Sequence, residues 1–338
     1  MKKNILVTGG CGYLGGGLIR KLLDKGYFVR CLDLMVYGDK AVSGLSNNKN
    51  FSLVAGDIRD KKKVNECLKD IDEIVHLAAI VGDKPCEAAP KAAFDINHNG
   101  TKILCELAQL NKVKKFVFAS TCSNYGISAY DEYAKETTPF NPVSLYAESK
   151  IDSENYIKNI AHENFKTFSL RFGTAYGVSH RTRFDLTVNS FAYEAYKTNK
   201  ISVFAADTWR PYIHVNDINN IIVETIQKSD LKENHYTFNA GFTKENFTKK
   251  QIVDKLIKLL PKLKVDYIPL SNDKRNYKVD FTKIENFFGL KNEFNVSIGF
   301  KEVLDALQNK MIDEKTFKES NLEGLTTFFK KNSKKLEF

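Results

Sequence analysis

No C-x-x-C pair occurs in this chain, and its six cysteines, at positions 11, 31, 67, 86, 105 and 122, cluster neither with one another nor with histidine. That argues against a disulfide framework and a zinc site, and leaves free thiols expected mostly in packed positions, with no metal. Long apolar runs are also missing. None reaches bilayer length, and Met1-Lys2-Lys3 leads directly into a strand-forming run rather than a signal peptide, so a cytoplasmic protein with no membrane partner is expected. There is no low-complexity linker and no repeat of solenoid period. The net charge is +10, but the lysines are scattered through helical patterns and are densest near the C-terminus. Without a basic stripe carrying interleaved aromatics, nucleic acid is not an expected partner. A mild positive field suits a small anionic substrate equally well.

What is present starts at residue 4. Asn4-Ile5-Leu6-Val7-Thr8 is a short apolar run that breaks into Gly9-Gly10-Cys11-Gly12-Tyr13-Leu14-Gly15 and resumes with helical spacing at Leu18, Ile19, Leu22 and Leu23. This reads as strand, tight turn and helix. Gly9, Gly12 and Gly15 stand at a G-x-x-G-x-x-G spacing, where missing side chains let backbone bend, let a pyrophosphate approach and let the helix sit against the strand. The helix N-terminus just past Tyr13 and Leu14 offers N–H groups and a positive dipole end to phosphate. A second apolar run, 27–32, ends in Asp33, where a carboxylate would accept hydrogen bonds from an adenosine ribose and repel a 2′-phosphate. NAD is therefore expected rather than NADP.

At 338 residues the chain can bury a large core and is long for one simple domain. Strand and helix patterns alternate through the first half: a strand at 51–55, a helix that Asp60 could cap, and the buried-strand run Ile74-Val75-His76-Leu77-Ala78-Ala79. A helical pattern over 88–110 follows, interrupted near Asn97 and Gly100, and then a strand at 116–119. This alternation predicts a parallel, doubly wound sheet. Small residues such as Ala78 and Ala79, at the carboxyl end of a strand, let a flat cofactor lie against the sheet edge. His76 reads as a packed strand residue.

The chemistry falls at the end of the 116–119 strand. Ser120-Thr121-Cys122-Ser123-Asn124-Tyr125-Gly126 is a hydroxyl-rich turn, and downstream lies Tyr146-Ala147-Glu148-Ser149-Lys150. Residues four apart on a helix share a face, so Tyr146 and Lys150 can both point into a cleft. An ammonium group near a phenol lowers its pKa and turns it into a usable base, and Thr121 could hydrogen-bond the reacting oxygen.

In order, the glycine fingerprint, Asp33, Asp57, His76-Leu77-Ala78-Ala79, Asn97 with Gly100-Thr101, Ser120-Thr121, Tyr125-Gly126 and Tyr146-x-x-x-Lys150 resemble the extended short-chain dehydrogenase/reductase family. The likeness is to its nucleotide-sugar epimerase/dehydratase branch and covers nearly the whole chain. It implies a Rossmann-type sheet over 1–172, with a returning segment near 211–240. A smaller mixed α/β domain for substrate over 173–312 and a C-terminal helix or tail over 313–338 would follow, with 329–338 poorly specified. Tyr146 then stands as catalytic base, Lys150 as the residue that holds the nicotinamide ribose and tunes Tyr146, and Thr121 as the hydroxyl that orients substrate, with Ser123 beside it. Asp57 and Ile58 stand as adenine contacts, Leu77, Ala78 and Ala79 as channel lining, and Asn97 as a backbone anchor at a helix kink beside the cofactor.

The substrate side is assigned on the same resemblance. Thr174 stands where the family commonly has Asn. Residues 178–183, with His180, Arg181 and Arg183, form a basic, substrate-facing loop, and a helix over 185–196 follows. Arg210, in Trp209-Arg210-Pro211-Tyr212-Ile213-His214-Val215-Asn216-Asp217, matches an arginine that reaches the nucleotide's diphosphate, as a planar guanidinium can. In that segment His214 reads as a strand residue and Asp217 as a helix cap. Arg275, in Asp273-Lys274-Arg275-Asn276-Tyr277, is a second phosphate-binding candidate.

The expected reaction is oxidation of a nucleotide-activated sugar at C4 to a 4-keto species. Its fates are hydride return to the other face by an epimerase, release by a stand-alone dehydrogenase, or water loss by a 4,6-dehydratase. Family dehydratases place an Asp-Glu pair after the catalytic threonine, whereas Cys122-Ser123 stands here. That disfavours dehydration and leaves the 4-epimerase as the leading reading, with the stand-alone dehydrogenase as its alternative. A C3/C5 epimerase or epimerase-reductase using Cys122 and His180, and a non-catalytic NAD-binding protein, are the remaining readings. The resemblance also implies a homodimer paired through helices around 90–110 and 145–162.

Overall fold

The computed structural model describes residues 2–128, 132–269, 275–312 and 321–332. In chain order the first half supplies β1 (Asn4–Thr8), α1 (Gly15–Asp24), β2 (Phe28–Asp33), β3 (Phe51–Ala55), α2 (Lys61–Cys67), β4 (Glu73–His76) and α3 (Asp83–Ala88). It continues with α4 (Pro90–Phe94), α5 (Gly100–Leu110), β5 (Lys115–Thr121), β6 (Tyr133–Ala134), α6 (Leu145–Ile160) and β7 (Lys166–Phe172). The second half supplies β8 (Thr174–Tyr176), α7 (Thr187–Thr198), β9 (Lys200–Phe204), β10 (Trp209–His214), α8 (Val215–Gln227) and β11 (His235–Ala240). After these come β12 (Asn246–Thr248), α9 (Lys249–Leu259), β13 (Lys264–Ile268), β14 (Lys278–Val279), α10 (Thr282–Phe288), α11 (Val296–Gln308) and a C-terminal helix, Asn321–Asn332.

Seven strands form one parallel sheet in the order β11-β7-β5-β4-β1-β2-β3. Parallel neighbours require crossover connections, and the alternating pattern provides helices for them. The direction of winding reverses between β1 and β4, and the carboxyl ends of strands at such a reversal open a crevice for ligands. Alternation along β1 sends Ile5 and Val7 to one face and Leu6 to the other. The first face packs α1 and α8 through Leu18, Ile19, Ile218 and Ile222. The second packs α5 and α6 through Leu104 and Ile157, with Phe116 and Phe118 of β5 beneath. Side chains of this kind contribute about 1.5–3 kcal/mol each when fully buried.

The chain after β7 builds a smaller apolar cluster of its own around Tyr176, Phe191, Val203, Tyr212 and Phe300. A three-stranded sheet, β12-β10-β8, and the pairs β13-β9 and β14-β6 accompany it. All six cysteines are free and buried.

Local details refine several expectations. Asp60 caps α2, accepting from the Lys63 N–H at 3.0 Å. The interruption near Asn97 is a π-helical turn, Asp95–Asn99. It turns the Asn97 side chain onto the Ile80 backbone. The helix expected over 185–196 starts at Thr187, because Asp185 instead pairs with Arg183 at 2.7 Å. His214 rather than Asp217 caps α8: its Nδ1 accepts from the Asn216 N–H at 3.2 Å, while Asp217 is buried in the first turn. The expected tail is helical through Asn332, with Leu325 inside the second apolar layer. Asp273, Lys274, 313–320 and 333–338 lie outside the described residues.

Candidate active site

A cleft of about 1090 Å³ opens at the carboxyl ends of β1, β2, β4 and β5. Pockets for one drug-sized ligand run to about 300–1,000 Å³, so this one lies at the upper end of that range or just above it, as a ligand of dinucleotide size requires. Its floor is the glycine turn. Gly9 has a φ of +72°, and a Cβ there would stand 2.6 Å from the Ala78 nitrogen. A Cβ on Gly15 would stand 2.4 Å from the Gly10 Cα, so α1 packs onto the turn only without side chains. Leu14 precedes α1 and gives its first turn no side-chain cap. The first-turn N–H groups have no intrahelical acceptor, and this N-terminus faces the cleft: it is a donor set that fits a pyrophosphate.

Asp33 closes the turn from the side. One carboxylate oxygen accepts from the Cys11 N–H at 2.9 Å and the other from the Met35 N–H at 2.8 Å. Burial pushes its pKa up, against those two bonds and the nearby Arg181. Asp57 is paired with Arg59 at 2.7 Å, and with Ile58, Leu77, Ala78 and Ala79 it lines the same wall. Asn97 does not line the cleft. Its side chain takes the Ile80 N–H at 2.7 Å and donates to the Ile80 carbonyl at 3.0 Å, which pins the segment after β4. It anchors backbone and makes no wall for a cofactor.

Thr121, at the end of β5, and Ser123, Tyr146 and Lys150 line the opposite wall. Ser144 caps α6 by accepting from the Ala147 N–H, and from there Tyr146 and Lys150 share one helical face. Lys150 donates to the Ala119 carbonyl at 2.9 Å, and its Nζ lies 6.0 Å from the Tyr146 ring centre. Burial lowers the Lys150 pKa to about 8, partly offset by Cys86 and Glu154. The Tyr146 phenol departs from expectation. Desolvation, helped by Cys86, Asp83 and Tyr277, holds it well above the usual phenol range, and Arg183 pulls the other way. The Lys150 ammonium, 6.0 Å from the ring centre, does not by itself offset that desolvation.

Arg210, Arg275, Arg183, Arg181 and Thr174 also line the cleft. Arg210 Nη1 donates to the carbonyls of Trp209, at 2.7 Å, and Arg275, and so is oriented by backbone. Arg275 pairs with Asp83 across the cleft at 3.1 Å. Two members of the basic loop stand elsewhere than expected. His180 is exposed and lies off the cleft, near Arg20. Arg181 lies flat on Tyr37, 3.5 Å from the ring centre, at the Asp33 end of the channel rather than beside Tyr146. Cys122 is corrected too: it is fully buried, and its Sγ donates to the Arg171 carbonyl at 3.0 Å, facing away from the cleft.

The family described as NAD dependent epimerase/dehydratase matches residues 5–241. The chain belongs to that family. Among its relatives is a putative UDP-glucose 4-epimerase of Methanocaldococcus jannaschii, 30% identical over 63% of this chain and 70% of the relative. The solved UDP-glucose 4-epimerase of Thermotoga maritima, bound to UDP-glucose, is 25% identical with a TM-score of 0.80 and covers 91% of this chain and all of that one. A dTDP-glucose 4,6-dehydratase of Streptomyces venezuelae shares the fold at 22% identity, with a TM-score of 0.82 over 93% of this chain and 99% of its own.

As a member of the NAD dependent epimerase/dehydratase family the protein uses NAD, and the glycine turn and uncapped α1 are where that cofactor fits. Tyr37, Asp83, Asn321 and Leu325 are among the cleft residues of this epimerase/dehydratase that sequence reasoning missed. Tyr37 sits in the loop after β2, Asp83 opens α3, and Asn321 and Leu325 come from the C-terminal helix. Of these only Leu325 carries a local pattern, since Leu322, Leu325, Phe328 and Phe329 repeat at helical spacing. Among the described residues no group of three or more His, Cys, Asp or Glu could hold a metal, and no helix is long and apolar enough to cross a membrane.

Proposed function

We propose that this protein is a nucleotide-sugar 4-epimerase acting through a 4-keto intermediate. The observation that carries the reading is the placing of Thr121, Tyr146 and Lys150 on one wall of a single cleft, with the glycine turn on its floor and Arg183, Arg210 and Arg275 around its far part. Thr121 donates to the C4 oxygen, and Tyr146 takes its proton as the carbonyl forms. NAD, when bound, supplies an acceptor for the C4 hydride, a store from which it returns to the other face, and a positive ring that favours the phenolate. Lys150 holds the ribose hydroxyls and adds its own charge at the base. Because burial, with Cys86, Asp83 and Tyr277, raises the phenol, Tyr146 gains its basicity only where positive charge is assembled against it. The arginines grip the diphosphate while the sugar turns to present its second face.

The turn after Thr121 supports epimerisation over dehydration. Dehydration needs an acid that protonates a leaving hydroxyl, and here Cys122 faces inward while Ser123 lines the cleft. The C3/C5 reading loses both of its groups, since Cys122 is buried and His180 lies outside the cleft. A stand-alone 4-dehydrogenase uses the same first step. Incubation with UDP-, GDP-, CDP- and dTDP-hexoses, followed at 340 nm and by NMR, separates the two. An epimer without net NADH is the expected result, accumulating NADH gives the dehydrogenase, and no turnover of any of them defeats the reading.

We further propose pairing of two copies through α5 and α6, which lie side by side with Gln109 donating to the Ile160 carbonyl at 2.9 Å and Leu110 left exposed. Sedimentation at micromolar concentration should return twice the chain mass.

A further inference from the structure

The C-terminal helix lies against the adenosine end of the channel rather than trailing into solvent. Its first residue, Asn321, is 5% exposed and bonds to three segments distant in sequence. Its carbonyl accepts from the Tyr37 hydroxyl at 3.1 Å, its Oδ1 accepts from Arg181 Nη2 at 2.9 Å, and its Nδ2 donates to the Val81 carbonyl at a weaker 3.5 Å. One turn on, Leu325 is 4% exposed and belongs to the apolar layer that α5 and α6 share. Between them Gly324 is seated on Tyr37: a Cβ there would fall 2.6 Å from the ring. The same ring carries the Arg181 guanidinium at 3.5 Å. Tyr37 is thus held by both the basic loop and the C-terminal helix, four residues past Asp33, the acid at the ribose position.

Asn321 and Leu325 themselves line the cleft, as do Tyr37, Val81 and Arg181. None of the three Asn321 bonds is local to its helix, so releasing the helix breaks them together. An enzyme that parks a hydride on its cofactor and then returns it has a chemical reason to keep that cofactor from leaving between the two half-reactions, because a reduced cofactor lost midway strands the ketone. We propose that Asn321 and its helix clasp the adenosine end of NAD and keep it bound from one turnover to the next. The inference rests on NAD occupying the channel above the glycine turn.

The test is exchange of bound cofactor in the full-length, NAD-loaded protein. Protein carrying adenine-labelled NAD is desalted and mixed with excess unlabelled NAD, and label loss is followed over time. Wild type should hold stoichiometric NAD through desalting, and Asn321→Ala and Leu325→Asp should lose label at least tenfold faster. Thr327→Ala, on the exposed side of the same helix, should exchange as wild type does. Apo Asn321→Ala loses the Arg181 and Val81 bonds and should melt lower than wild type, but the rise in melting temperature on adding NAD should shrink as well, which a merely structural role would leave unchanged. Should Leu325→Asp fail to fold, Asn321→Ala decides alone. Label loss from Asn321→Ala within twofold of wild type, or wild type that sheds NAD on desalting, overturns the clasp. The epimerase reading fails separately, on absence of product from protein that retains its NAD.

Discussion

Arg171 grips Glu154 through two nitrogens, with Nη2 at 2.7 Å from one carboxylate oxygen and Nε at 3.0 and 3.1 Å from both. The pair lies one helical turn beyond Lys150, with both side chains 5–6% exposed. Ser120 Oγ and Asn124 Nδ2 also donate to this carboxylate, so it ties the hydroxyl-rich turn that carries Thr121 to the helix that carries Tyr146 and Lys150.

Glu154→Ala removes the acceptor from three donors and leaves a buried guanidinium unpaired. Breaking a buried pair from one side costs about 3–5 kcal/mol, and that loss should appear in urea denaturation. The double variant Glu154→Leu with Arg171→Leu should cost less than the sum of the two single changes, because no charge is left behind. Additive losses would mean that the pair does not act as a unit.

His76 should make the fold acid-sensitive. Thr101 spends its hydroxyl proton on the Asn97 carbonyl at 2.6 Å, so it can only accept from His76 Nε2 at 2.9 Å. His76 Nδ1 therefore accepts from Thr8 at 2.6 Å, which fixes a neutral ring. Burial, with Lys150 nearby, lowers its pKa from 6.5 to about 3. The unfolded chain binds the extra proton between those values, so this stability is full above pH 6.5 and is lost as pH falls toward 3. The difference amounts to about 4–5 kcal/mol. His76→Leu, less stable than wild type at pH 7 through the lost Thr8 bond, should lose its disadvantage by pH 4.5. Part of the wild-type slope will persist in the variant, since burial also lowers His235 to about 4. Parallel pH profiles for the two proteins would contradict the assignment.

The order of elements was legible because parallel strands and their helices impose local periodicity on residues such as Ile5, Leu6 and Val7 or Leu18 and Leu22. The glycine turn was legible for a related reason: Gly9 and Gly15 sit where backbone passes too close for any Cβ. The basic loop was only half legible. Charge shows that Arg181, Arg183 and His180 avoid the core, but which of them turns toward Tyr146 depends on Tyr37 and Asp185, whose contacts are set by tertiary packing. A C-terminal helix or tail was expected, but its place against the cleft was not legible. Its apolar spacing is diluted by Gly324, Thr326 and Thr327 among lysines, and its meaning lies in three bonds from Asn321 to segments some 140 to 284 residues away.

Arg210 should govern affinity more than rate. Two carbonyls aim its guanidinium, and the diphosphate it is proposed to bind would be held in both ground and transition states. Arg210→Met should raise KM about 10- to 100-fold, from charge-assisted hydrogen bonds of about 1.5–3 kcal/mol, with kcat changed far less. Asp83→Asn should move KM the other way, because the carboxylate at 3.1 Å competes with phosphate for Arg275. Steady-state kinetics on whichever nucleotide sugar turns over best decides both.

The proposed catalytic pair, Tyr146 and Lys150, should show itself in the pH dependence. Tyr146→Phe removes the proton acceptor while sparing the channel floor, so turnover should fall at least about 10²–10⁴-fold while the protein still purifies with NAD. Lys150 presents a sharper test, because burial lowers its pKa to about 8 against 10.5 for free lysine. Its ammonium, and with it the charge that favours the phenolate, disappears as pH rises through 8. In the wild-type enzyme kcat/KM should therefore turn down above about pH 8. Lys150→Met should be slow at every pH and lack that descending limb, since no titrating ammonium remains beside the base. A variant that keeps the limb unchanged would assign the titration to some other group and leave Lys150 as a carbonyl-anchored strut for β5.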